Sequence, residues 1–68
     1  MKTWMERHAL ALQHVISGRR IIERQRRAIA QRKAIGADTS ESERLLESFE
    51  RTQEIFEQDL ADLESQEA

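Results

Sequence analysis

Cysteine and proline are missing from this 68-residue chain, and glycine (two) and aromatic residues (one Trp, two Phe) are scarce. Without cysteine there is no disulfide, no thiolate nucleophile and no thiolate ligand for zinc or an iron–sulfur cluster, which fits a reducing compartment. Without proline, and with only Gly18 and Gly36, the chain lacks the turn residues of a many-stranded β fold. No apolar run approaches the roughly 20 residues of a membrane span. The stretch Ala9 to Leu12 (Ala-Leu-Ala-Leu) gives way at once to Gln13 and His14, is too short for a signal-peptide core, and is followed by no small-residue cleavage site. These absences lead to the expectation of one small all-α domain over residues 1–68, cytoplasmic, with no membrane partner and no interdomain cleft for a substrate.

A catalytic constellation is missing too. His8 and His14 stand six residues apart, so they do not share a helix face, and neither belongs to a Glu-x-x-His pair of the kind that builds di-metal carboxylate bundles. His8 falls on the apolar stripe described below and reads as structural; His14 reads as a solvated surface residue. The carboxylates of the second half lie on a polar helix face, where solvated charge is the ordinary state. There is no glycine-rich phosphate loop and no nucleophile–base arrangement. The expectation is a non-enzymatic protein with no catalytic residue, no cofactor and no metal.

What is present is organised around Ile35 to Glu41, where helix-stopping and helix-starting signals adjoin. Gly36 can take the left-handed conformation that ends a helix. Asp38, Thr39 and Ser40 offer oxygens to the first N–H groups of a second helix, with two overlapping capping-box spacings, Asp38 with Glu41 and Ser40 with Glu43. This predicts an antiparallel two-helix hairpin, with helices over about 3–35 and 40–65 and a bend at 36–39. Along the first helix His8, Val15, Ile22 and Ile29 recur every seven residues with Leu12 and Gly18 beside them, a stripe broader than a strict coiled-coil seam. Along the second, Leu46, Phe49, Gln53, Phe56, Leu60 and Leu63 alternate three and four apart. Opposed residues should have numbers summing to about 75, which puts Ile22 level with Gln53 and leaves Gln25 able to share a polar layer with it. Gly18, unfavourable inside a helix by ~1 kcal/mol relative to Ala, either admits a close neighbour such as an aromatic ring or marks a bend with Ser17.

Charge divides the chain in two. From Met1 to Gly36 nine Lys or Arg face two acids, a net of +7; from Ala37 onward eleven acids face Arg44 and Arg51, a net of −9. Folded back, the arms neutralise each other, and exposed pairs of ~0.2 to 1 kcal/mol each select partner and orientation more than they stabilise. The stripes are too wide for one partner helix. Each hairpin is therefore expected to bury its remaining apolar face against a copy of itself, as a homodimeric four-helix bundle or a tetramer, or against another protein. The core and oligomer interface is expected at His8, Leu12, Val15, Gly18, Ile22, Ile29, Leu46, Phe49, Phe56, Leu60 and Leu63.

The run Gly18 to Lys33 carries a second reading. Arg19, Arg20, Arg24 and Arg27 at helical spacing form an anion-binding candidate that could track a nucleic-acid backbone. Core positions Ile21, Ile22 and Ile29 interrupt the run, stacking aromatics are absent from it, and an acidic arm is attached, so nucleic acid stays behind protein interaction. A membrane-surface role for Trp4 is weaker still. The stretches HVISGRRIIERQRRAI and IGADTSESERLLESFE resemble a group of short, uncharacterised, mostly α-proteobacterial helical proteins, with a His-x6-Gly-Arg-Arg-Ile-type first helix, a Gly-x-Asp-Thr connector and a Glu-Arg-Leu-Leu second helix. The resemblance spans about His8 to Leu63. It implies the hairpin and brings no activity, ligand or catalytic residue.

Overall fold

The computed structural model describes residues 3–67. Two helices, α1 over Trp4–Ala34 and α2 over Ser40–Glu67, pack side by side as an antiparallel hairpin of 50 × 21 × 14 Å. The bounds differ by at most two residues from those expected; Lys2, counted above in the basic half, lies outside the described residues.

Local chemistry accounts for both helix ends at the bend and for the start of α1. Thr3 is extended, and its hydroxyl oxygen accepts the Glu6 N–H at 3.1 Å while the hydroxyl donates to Glu6 Oε1 at 3.2 Å. This closes one free N–H of the first turn. At the other end Gly36 takes φ 77°, the Gly36 N–H bonds the Lys33 carbonyl at 3.0 Å, and the Ala37 N–H bonds the Arg32 carbonyl at 3.0 Å. That pair of bonds is a Schellman motif, and it needs the left-handed residue that a Cβ would penalise by ~1 to 2 kcal/mol.

The start of α2 differs from the overlapping capping boxes read in the sequence. Asp38 accepts from Ser40 twice, from its N–H at 3.0 Å and its hydroxyl at 2.7 Å. Thr39 is buried; its hydroxyl donates to Glu43 Oε1 at 3.1 Å and its carbonyl accepts the Glu43 N–H at 2.9 Å. Ser40 and Glu43 are thus held by the two preceding residues rather than by each other.

These contacts hold two carboxyls below their ordinary range. Asp38 is lowered by the Ser40 hydroxyl and then by the Ser40 N–H. Glu43 is lowered chiefly by its bond to the Lys33 ammonium and then by the Thr39 hydroxyl. A depressed folded-state pKa contributes stability that is present in full above the unfolded value and is lost as pH falls through the folded one. The thermal midpoint is therefore expected to drop on acidification below the ordinary values of 3.8 and 4.5. Thermal melts from pH 6 to pH 3 on wild type and Glu43→Gln check this, and the variant should lose less.

The seam between the helices is a strict heptad. α1 contributes Trp4, His8, Ala11, Val15, Gly18, Ile22, Gln25 and Ile29; Thr39, just before α2, and Ser42, Leu46, Phe49, Gln53, Phe56, Leu60 and Leu63 of α2 face them; all are buried or half-buried. Val15 is the most enclosed of the large side chains, at 1% exposure. Leu12, expected at this interface, stands off the seam at 40% exposure, and the small Ala11 takes its place. The physical reason is phase: Gly18 and Gln25 each stand four residues before Ile22 and Ile29, so the same step back from Val15 lands on 11 and leaves residue 12 on the flank.

Gly18 is a packing position, and α1 runs through it without a break. The neighbour is an amide rather than an aromatic ring. A Cβ built on Gly18 would lie 1.7 Å from Gln53 Oε1 and 2.8 Å from Gln53 Cδ. The missing side chain lets Gln53, 7% exposed, reach the backbone of α1 and donate Nε2–H to the Val15 carbonyl at 2.9 Å. Gln53 Oε1 has no hydrogen-bond partner among the described residues. The expected Gln25–Gln53 layer is thus replaced by a side-chain-to-backbone bond, which ties α2 to one level of α1.

Candidate functional site

An antiparallel seam has two flanks, and in this hairpin they differ in kind. On one flank lies an ion-pair ladder. Arg19 meets Glu57 at 2.5 Å, Arg26 meets Glu50 at 2.7 Å and Lys33 meets Glu43 at 2.6 Å. Each pair sums to 76, so the rungs repeat every heptad along both helices. Residue 12 would be the next rung opposite Glu64; Leu12 carries no charge, and Glu64 turns to His8 Nε2 at 3.3 Å. Every member of the three rungs keeps at least 40% side-chain exposure, which limits each to the modest value of a surface pair. What a heptad-spaced ladder supplies is register, since sliding α2 by one turn would break all three rungs together.

The opposite flank is largely uncharged. Over the facing ranges 16–35 and 41–60, the ladder flank carries Ile16, Arg19, Glu23, Arg26, Ala30, Lys33, Glu43, Glu47, Glu50, Glu54 and Glu57. Over the same ranges the other flank carries Ser17, Ile21, Arg24, Ala28, Gln31, Ile35, Glu41, Leu45, Ser48, Thr52, Ile55 and Asp59. Nine charges among eleven residues face three among twelve. Ile21, Leu45, Ile55 and Ile35 on the uncharged flank are exposed, Ile35 at 82%. Towards the chain ends this flank continues as a groove of about 390 Å³ lined by Arg7, Leu10, Ala11, His14, Phe56, Asp59, Asp62 and Leu63. His14 is exposed there, and its ring stacks on Phe56 with centroids 4.8 Å apart.

The other expected site residues are placed as follows. His8 is half-buried in the seam, its ring stacked on Trp4 at a centroid distance of 4.9 Å, and Trp4 Nε1–H donates to the Leu63 carbonyl at 2.8 Å. The tryptophan closes the open end of the hairpin. Val15, Ile22 and Ile29 are buried; Leu46, Phe49, Phe56, Leu60 and Leu63 are half-buried. Of the candidate anion-binding arginines, Arg19 is a ladder rung and Arg27 pairs with Glu23 one turn back on the same helix. Arg20 and Arg24 are exposed and make no ion pair among the described residues. The four do not form one open cationic site.

Among the described residues no group of three or more His, Asp or Glu is arranged to hold a metal ion, and no helix is long and apolar enough to cross a membrane. The ladder was not read from the sequence, although its signal is there: Arg19, Arg26 and Lys33 on one helix and Glu43, Glu50, Glu57 and Glu64 on the other are spaced by seven. No protein-family model, curated protein or solved structure matches the chain.

Proposed function

We propose that this hairpin is a non-enzymatic, self-associating interaction module whose working unit is a homodimeric four-helix bundle. The observation that supports this reading is the uncharged flank: it exposes Ile21, Ile35, Leu45 and Ile55 beside a seam that encloses few large side chains. The total accessible surface points the same way. It is 5461 Å² for 8.0 kDa, where a compact monomer of that mass exposes about 4,500 Å². The excess is comparable to the roughly 800 Å² that each partner buries in a standard interface. A small helical unit of this kind is an adaptor or regulatory element, acting through what its outer surface presents once it has assembled.

Sedimentation equilibrium over a dilution series, with helicity followed on the same samples, tests the reading. The expected result is a mass of two chains and a helical signal that falls as the dimer dissociates, because folding and assembly are coupled. A tetramer would extend the same association. A fully helical monomer at every concentration overturns it. The second reading, a nucleic-acid-associated protein using the basic half of α1, has less support: Arg19, Arg26, Arg27 and Lys33 are engaged by glutamates, which leaves Arg20, Arg24 and Arg32 without an ion pair among the described residues.

A further inference from the structure

We infer that the partner of the uncharged flank is a second copy placed with its bend at the same end, so that each basic α1 packs against the acidic α2 of the other chain. This inference rests on the self-association proposed above and goes beyond it by choosing the flank and the symmetry.

The flank is chosen by desolvation. Docking on the ladder side would bury nine charges in the central stretch, and carboxylates or guanidinium groups taken out of water without new partners are costly. Docking on the opposite side over the facing stretch buries three, Arg24, Glu41 and Asp59, together with Ile21, Ala28, Leu45 and Ile55.

The symmetry is chosen by charge. When one face of an elongated hairpin packs on the same face of its copy, the two-fold axis lies in the interface plane, either along the hairpin or across it. An axis across the hairpin reverses the partner end for end and stacks α1 on α1 and α2 on α2. An axis along the hairpin keeps both bends together and stacks each α1 on the partner's α2. Between Trp4 and Ala34 there are eight cations and two acids, a net of +6; between Ser40 and Glu67 there are ten acids and two cations, a net of −8. Neighbouring bundle helices lie about 8 to 10 Å apart, within the ~8 Å to 10 Å screening length of physiological salt. The crosswise axis therefore opposes like charges along both helices, while the lengthwise axis opposes unlike ones.

Apolar packing is compatible with the lengthwise choice. Because the lengthwise axis preserves height, a residue of α1 meets the partner's α2 at the level it meets its own. Ile21 and Ile55, whose numbers sum to the 76 of the ladder rungs, then form an apolar layer across the interface, and symmetry repeats it.

The absence of native cysteine allows a direct test with a single spin label at Ala37→Cys, a position in the exposed bend. In the dimer the label-to-label distance is expected to be under about 25 Å, given the spacing of neighbouring bundle helices. A distance near the 50 Å length of the hairpin, in protein still dimeric by mass, overturns the symmetry and leaves self-association standing. A monomeric mass at every concentration overturns both. The flank is tested on the same samples: Ile21→Glu combined with Ile55→Glu should abolish the dipolar signal and halve the mass, whereas Ile16→Glu on the ladder side should leave both unchanged. The reverse pattern overturns the choice of flank.

Discussion

Ile22→Ala is expected to lower the unfolding free energy by about 2 to 4 kcal/mol, while Leu12→Ala changes it by less than about 1 kcal/mol. Both residues fall on the apolar stripe of α1, and leucine and isoleucine have the same volume and similar hydrophobicity. What separates them is the position of α2. Ile22 is 7% exposed and lies in the seam beside Gln53, so truncation leaves a cavity that the facing helix closes only in part. Leu12 is 40% exposed, off the seam at the height where the ladder lacks a rung, so its removal opens no enclosed cavity and water fills the space it leaves. Urea unfolding at one fixed protein concentration measures both, since association contributes to apparent stability. Equal costs would place Leu12 inside and the seam in a different phase.

Gly18→Val is expected to cost about 2 kcal/mol, within the range of overpacking substitutions. The backbone at residue 18 is ordinary helix, so strain is not the cause, and a valine there regains part of the helix propensity that glycine gives up. The cost comes from Gln53. Its amide occupies the space of the new side chain, with Oε1 1.7 Å from the Cβ position, and moving it away breaks the bond from Nε2 to the Val15 carbonyl. The amide is the far end of a flexible side chain and moves readily, but a displaced and still buried amide has no acceptor waiting for it. In a Gln53→Ala background the same Gly18→Val change should cost less than half as much. The difference, a coupling of about 1 to 2 kcal/mol, is read from a double-mutant cycle. An equal cost in both backgrounds would mean that the glycine serves the backbone of α1 and not the amide.

Much of this molecule is legible in its residues. The bend was readable because a Schellman ending at Gly36 and an oxygen-rich start at Asp38 to Ser40 are interactions between residues two to five apart. The register was readable to within one residue, because the bend fixes where the two helices begin to run back along each other. The choice between Ala11 and Leu12 was available only from phase. Hydrophobicity favours the leucine, whereas stepping back from Ile29, Ile22 and Val15 in alternate threes and fours favours the alanine. The caps of α2 were harder to read, because Asp38, Thr39, Ser40 and Glu43 offer several pairings of similar local energy.

By itself the sequence determined two helices, their ends, their antiparallel order and the opposite charge of the two arms. All of these follow from local hydrogen bonding, from a three-to-four residue periodicity, or from a simple sum of charges. Only the tertiary structure decided which part of a wide apolar stripe becomes the seam, that Gly18 opens α1 to the amide of Gln53, and that one flank is laced by glutamates while the other is left apolar. Those features depend on where a helix some 40 residues away comes to lie. A helix records its apolar surface in its sequence, but the facing helix covers only a strip of that surface, and the packing of particular side chains selects which strip.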